Sequence, residues 1–178
     1  MTASQWTAAA AGTLCLAAFS WAFSIRARRY HGISRFFAFE SLLFMLLLAP
    51  GRWFRGPFSP PRLASRGFLI VSLYLAVHGI FLLVRLGKPR RGDWENTDRL
   101  VTTGLYGLIR HPLYASLMYL GAGIFLEHAT TAAFLLAVLN TAALYLTARI
   151  EEGEMIAKFG EEYRDYMGKT KMFVPFLF

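Results

Sequence analysis

Residues 67–86 read GFLIVSLYLAVHGIFLLVRL, twenty positions in which Arg85 is the only charged side chain. A helix rises about 1.5 Å per residue, so a run of this length crosses the roughly 30 Å hydrocarbon core of a bilayer. The run is apolar on every side, as expected of a helix with lipid for solvent. It predicts an integral membrane protein, and the rest of the chain can be placed around it.

Four further apolar runs flank this one. The first, about 5–24, ends in Arg26, Arg28 and Arg29. A signal peptide carries its positive charges before its apolar core, so this run reads as a retained helix. The second, about 36–50, is short for a span, carries Glu40 and is stopped by Pro50-Gly51. Residues 51–66, with Arg52, Arg55, Arg62, Arg66 and three prolines, read as a loop. Runs at about 113–126 and 132–147 are joined by Glu127-His128-Ala129-Thr130, a link short enough to make them antiparallel neighbours. After Thr147, Ile156, Phe159, Tyr163 and Tyr166 recur at three- and four-residue steps, which predicts an amphipathic helix ended by Gly168. Glu154 and Lys158, four apart, read as an exposed pair on it. The expected fold is all-α: one membrane domain over 1–178, with about five transmembrane helices and a C-terminal amphipathic helix. Residues 1–86 supply N-terminal helices and 87–178 the functional part.

Composition agrees. Of 178 residues 56% are hydrophobic and 17% charged, and the net charge is +8. The 19 Lys and Arg lie between apolar runs, where they meet lipid head groups, and they form no stripe suited to nucleic acid. If all five runs span, fifteen basic residues fall on one side and four on the other. The positive-inside rule then puts the N-terminus outside and the C-terminus in the cytoplasm. Cys15 is the single cysteine; it excludes an internal disulfide and reads as a buried thiol. His78 and Glu40 read as helix-to-helix hydrogen-bonding groups.

Chemistry-bearing residues gather on the predicted cytoplasmic side. Arg110-His111-Pro112 precedes the fourth run, and Arg149-Ile150-Glu151-Glu152 follows the fifth. The hairpin brings His111 and Glu152 to one end. Proline in a first helical turn leaves free amides beside Arg110 and His111, suited to the carboxylate of an amino-acid-like ligand. Glu151 or Glu152 suits a ligand amine, and Tyr106 and Tyr114 suit an adenine ring or a cationic methyl group.

The series Leu100-Val101, Gly104-x-Tyr106, Arg110-His111-Pro112-x-Tyr114, Glu151-Glu152, Phe159-Gly160-x-x-Tyr163-x-x-Tyr166 and Pro175 resembles the isoprenylcysteine carboxyl methyltransferase family. The likeness covers about residues 85–178. It implies an all-helical membrane enzyme that encloses S-adenosylmethionine on the cytosolic side and admits a lipophilic or lipid acceptor from the bilayer. The implied cofactor shell is Asp98, Arg99, Leu100, Val101, Tyr106, His111, Pro112, Leu113, Tyr114 and Glu151. Arg149 is implied to hold an anionic acceptor, oriented by Glu152; no metal is implied. Two positions depart from the family pattern. Asp98 stands where a histidine is common. Thr147 stands four before Glu151, where members that methylate a carboxylate tend to have arginine, which weighs against a prenylcysteine carboxylate. The acceptor atom stays open among carboxylate, thiol and amine. The alternatives are an NADPH-dependent sterol-type reductase relative and a non-catalytic membrane assembly protein.

Overall fold

The computed structural model describes residues 1–27, 29–49, 59–90 and 93–177. The expected stop at Pro50-Gly51, and Arg28, Arg52 and Arg55, lie outside them. Among the described residues there are six α-helices: α1 (Ala3–Phe23), α2 (His31–Leu48), α3 (Pro60–Leu86), α4 (Pro112–Glu127), α5 (Thr131–Phe159) and α6 (Glu161–Lys169). A small antiparallel hairpin of β1 (Pro89–Arg90) and β2 (Asp93–Thr97) follows α3. Helices α1, α2, α3 and α5 are long and apolar enough to cross a membrane. Helix α4 has 16 residues, about 24 Å at the helical rise, and is shorter than a full span. The chain is thus an integral membrane helical bundle in which the fourth of the five apolar helices is short.

The bundle alternates direction. At one end of the α1–α2 pair, Gln5 Nε2 donates to the Leu47 carbonyl at 2.8 Å. At the other end, Arg35 Nη2 donates to Ser24 Oγ at 2.7 Å. Helix α2 runs antiparallel to α5: His31 meets Glu154 at 2.7 Å, Thr147 Oγ1 donates to Ser34 Oγ at 2.9 Å, and Asn140 Nδ2 donates to the Ala38 carbonyl at 3.0 Å. Helix α3 runs antiparallel to α4, with Ser65 Oγ donating to the Gly123 carbonyl at 2.8 Å. In hydrocarbon the apolar surfaces gain little from meeting one another, so close packing at small residues and such polar contacts hold the helices together. Glu40 fits this pattern, accepting from Thr13 Oγ1 on α1 at 2.5 Å.

Several expectations are corrected. Residues 60–66 are helix, not loop: Pro60 and Pro61 occupy the first turn of α3, where a missing amide hydrogen costs nothing. Helix α5 does not stop near Thr147 but continues to Phe159, giving about 43 Å of helix. The break falls at Gly160, whose φ of 61° favours glycine, while Gly168 lies within α6. Glu154 turns to His31 on α2, and Lys158 Nζ donates to the Thr97 carbonyl at 2.7 Å, so the two do not form the expected surface pair. Cys15 is exposed on α1 rather than buried. His78 packs its ring against Tyr74 and Phe81 of its own helix instead of bonding to another.

The tightest joint lies between α1 and α2. A Cβ added to Gly32 would stand 2.2 Å from the Ser24 Cβ. That atom is fixed to the backbone, so the helices themselves must separate. Gly67, on the outer side of α3, has nothing within 4 Å of an added Cβ. Gly32→Ala is expected to cost about 1–3 kcal/mol and lower the melting temperature in detergent. Gly67→Ala, which only removes glycine's flexibility, is expected to leave it level or raise it slightly. Thermal unfolding of the two purified variants checks the pair.

Candidate active site

The end of the bundle that carries the starts of α2 and α4 and the ends of α1, α3 and α5 also receives the loop 98–111 and the tail. Two devices shape that loop. Gly104 has a φ of 63°, and a Cβ there would press on Leu82 at 2.9 Å, so this turn requires glycine. The tail then straps down the next segment. Lys171 N donates to the Leu108 carbonyl at 3.2 Å, Arg110 N to the Lys171 carbonyl at 2.8 Å, and His111 N to the Met172 carbonyl at 3.1 Å. Tyr166 Oη adds a bond to the Tyr106 carbonyl at 2.6 Å. Met172 and Phe173 are buried against the bundle.

Within this frame sits a buried charge cluster. Arg110 Nε donates to Glu152 Oε1 at 2.8 Å, and its Nη1 donates to the carbonyls of Thr170 at 2.5 Å and Met167 at 3.3 Å. The guanidinium therefore closes the C-terminal end of α6 and neutralises a carboxylate on α5 together. His111 lies between the two glutamates, with Nε2 3.4 Å from Glu152 Oε1 and Nδ1 3.6 Å from Glu151 Oε2. Its ring stacks on Tyr114 with centroids 5.5 Å apart. Pro112 occupies the first turn of α4, as expected, and His111 stands at the N-cap position, its side chain making no capping bond. Burial raises the phenol pKa values of Tyr106, Tyr163 and Tyr166, so all three stay neutral across the physiological range.

A cavity of about 280 Å³ opens beside this cluster. Of the residues singled out from sequence, Leu100, Val101, Tyr106, His111, Pro112, Leu113, Tyr114 and Glu151 line it. Asp98 and Arg99 do not; they are exposed, and their amides hold the loop against the Lys88 and Gly87 carbonyls. Glu152 lies behind the wall, 3% exposed, in the grip of Arg110 and His111. Arg149 is also absent from the lining: its side chain is 58% exposed and reaches Glu152 Oε2 at 3.8 Å. The remaining wall includes Phe19 of α1, Arg35 and Phe39 of α2, and Ile80 and Leu83 of α3, none of which the motifs indicated. Arg35 directly precedes the apolar run of about 36–50 and is enclosed because α2 begins earlier, at His31.

This arrangement, a mostly apolar cavity whose polar groups include a histidine, a carboxylate and a helix N-terminus, invites comparison with known proteins. Residues 65–162, more than half the chain, match the phospholipid methyltransferase family. The chain belongs to that family. Its membership meets the expectation of an isoprenylcysteine carboxyl methyltransferase-like membrane protein. Methanethiol S-methyltransferase 2 of Bradyrhizobium diazoefficiens is 39% identical over 89 residues, 49% of this chain and 33% of that protein. A methanethiol S-methyltransferase of Pseudomonas sp. is 35% identical over 71 residues, covering 40% and 26%. A namesake from Pseudomonas deceptionensis is 27% identical over 118 residues, covering 62% and 42%. The chain spans about a third of the length of these curated relatives. The family match takes in every predicted cofactor-shell residue and stops short of the strap at 170–173.

The cluster makes an asymmetric prediction for the family member at hand. Arg110→Met strands a buried carboxylate and unties α6, and is expected to cost about 3–5 kcal/mol. Arg149→Ala removes an exposed contact and is expected to cost less than about 1 kcal/mol. Denaturation of both variants, with limited proteolysis of the tail, checks the difference.

Proposed function

We propose that this phospholipid methyltransferase family member transfers the methyl group of S-adenosylmethionine to a small lipophilic thiol drawn from the bilayer. The observation that carries the reading is the cavity, where His111, Glu151 and the N-terminal turn of α4 meet a wall that is mostly apolar and aromatic. The donor set fits an amino-acid-like ligand bearing an adenine. The first-turn amides of α4, with His111, suit its carboxylate, and Glu151 suits its amine. Tyr106, Leu100 and Val101 offer flat and apolar surface for the ring. The preference for a thiol among the three acceptor classes draws on the relatives named above, all methanethiol S-methyltransferases.

S-adenosylmethionine supplies an already activated methyl group when bound. The protein's task is then orientation and exclusion of water, which for well-aligned reactants is worth on the order of 7–11 kcal/mol. The aromatic rings of Tyr106 and Tyr114 can face a cationic methyl. Glu152 acts at one remove, as the buried anion that fixes Arg110 and His111. Among the described residues, the alternating helices bring 24–27, 29–35, 85–90, 93–111 and 149–171 to one end of the bundle, the end rich in Lys and Arg, while Arg62 and Arg66 lie at the other. By the positive-inside rule this end, with the cavity, faces the cytoplasm.

Calorimetry on the detergent-purified protein is expected to show micromolar binding of S-adenosylmethionine and none of NADPH. His111→Ala and Glu151→Ala are each expected to weaken that binding at least about tenfold, since each removes a charge-assisted contact. A folded wild-type protein that binds no S-adenosylmethionine would overturn the proposal, and NADPH binding in its place would favour the reductase relatives.

A further inference from the structure

The cavity has two parts that differ in depth. One lies level with the polar cluster and beyond it, where Val101, Tyr106, Met155 and Phe159 carry its wall away from the bundle. The other follows α3 inward. Leu83, Ile80 and Ala76 line it over two helical turns, about 10 Å at the helical rise. The deepest lining residues on the facing helices are Leu117 of α4 and Phe39 of α2. A Cβ on Gly79 would meet Leu113 at 2.9 Å, so Ala76 and Leu117, each about one turn further in, stand near one level. Phe19 of α1 sets its ring 6.2 Å from that of Phe39, nearly edge to face. Arg35 stands one turn nearer the polar end than Phe39 and bonds to Ser24 Oγ. Ser116, the hydroxyl at the depth of Leu117, donates to the Leu113 carbonyl of its own helix at 2.7 Å. The inner limb therefore presents mainly carbon.

We infer that this inner limb takes the apolar tail of the methyl acceptor, and that Phe39 and Ala76 set the length of tail accepted. This deepens the methyltransferase reading and rests on it. The methyl donor carries a charged amino-acid end and an adenine, whose polar atoms lose their hydration in such a limb and find few partners there. They belong at the outer part, with His111, Glu151 and the first turn of α4. An acceptor needs only its reacting atom at the junction of the two parts. Its tail gains by leaving water, each buried methylene strengthening binding about fourfold. At the junction a thiol gives its proton to solvent and its sulfur bonds to the methyl carbon. The bond from that carbon to the donor sulfonium breaks, and its electron pair stays on the departing sulfur.

The limb is bounded at its inner end by one large side chain and one small one. Phe39 is braced by Phe19, so its ring is a fixed floor, and Ala76 leaves room on α3 that any larger residue would fill. Packed interiors register a change of a single methylene, so such a floor gives a sharp limit. A limb of about 10 Å suits a short alkyl tail, whereas a phospholipid acyl chain reaches about 15 Å, half the hydrocarbon core. Phe19 and Phe39 lie outside the family-matched region and Ala76 within it. The acceptor's end of the cavity is thus built partly by helices that the donor's end does not use.

The test assays detergent-purified protein and S-adenosylmethionine with 1-alkanethiols from ethanethiol to 1-decanethiol. In the wild type kcat/KM is expected to climb by up to about fourfold per methylene and to fall once the tail outgrows the limb. Phe39→Ala is expected to move the maximum to a longer thiol and Ala76→Leu to a shorter one, each by at least about one methylene. Affinity for S-adenosylmethionine is expected to be retained in both. A profile with no maximum, as for a tail that leaves sideways between α1 and α3, overturns the limb. So does a maximum that neither substitution moves. The same lengths of 1-alkanol, titrated into protein saturated with S-adenosylhomocysteine, separate the limb from the acceptor chemistry. If no thiol is methylated while alkanol affinity breaks at a length that the two substitutions shift in opposite directions, the limb stands and the thiol reading falls. If Phe39→Ala does not fold, Ala76→Leu and the wild-type profile decide. A wild type that binds neither S-adenosylmethionine nor S-adenosylhomocysteine removes the methyltransferase reading, and the limb with it.

Discussion

Glu152 is a carboxylate buried near the end of a helix that begins in the membrane, and burying such a charge is costly unless it is paired and hydrogen-bonded. Arg110 and His111 meet that requirement from the start of α4. Arg110 in turn needs acceptors for its remaining donors and finds them in the carbonyls at the end of α6. One ion pair thus ties together the end of α5, the start of α4 and the tail. The strap of 170–173 against 108–111 follows from the same attachment. These elements meet at the cavity, whose wall includes the first turn of α4.

The length of α5 complements this constraint. At about 43 Å it exceeds the roughly 30 Å bilayer core by more than two turns, and its charged C-terminal part carries Glu151, Glu152, Glu154, Met155 and Phe159. One face of that extension lines the cavity with Glu151, Met155 and Phe159. Another docks on α2 through Glu154 and His31. A continuous helix thereby transmits the rigidity of the membrane bundle to the polar site, which suits chemistry that depends on orientation.

The membrane class, the alternation of helices and most of the His111 wall could be read from sequence, because apolar run length and short links leave few arrangements. The rest is set by contacts between segments distant in sequence. Pro60 and Pro61 read as a loop because proline breaks helices internally, yet it is welcome in the first turn they occupy. Gly160 and Gly168 are equivalent as letters; only the reversal between α5 and α6 selects the first. Glu154 and Lys158 satisfy the four-residue spacing, but His31 and the Thr97 carbonyl, far off in sequence, compete for them. Arg35 was counted as a topological charge, since nothing local shows that α2 turns it toward a cavity shared with α4 and α5. Arg149, beside the motif, instead stays largely in solvent.

The central claim is that the strapped Arg110–Glu152–His111 cluster supports a methyl-donor site in the adjoining cavity. The most direct measurement is an experimental structure of the full chain with S-adenosylhomocysteine. The account predicts ligand density in that cavity, with its amino-acid end against His111, Glu151 and the first turn of α4, and with the 170–173 strap in place. Density lodged elsewhere, or a ligand bound only after the strap has come away from residues 108–111, would contradict it.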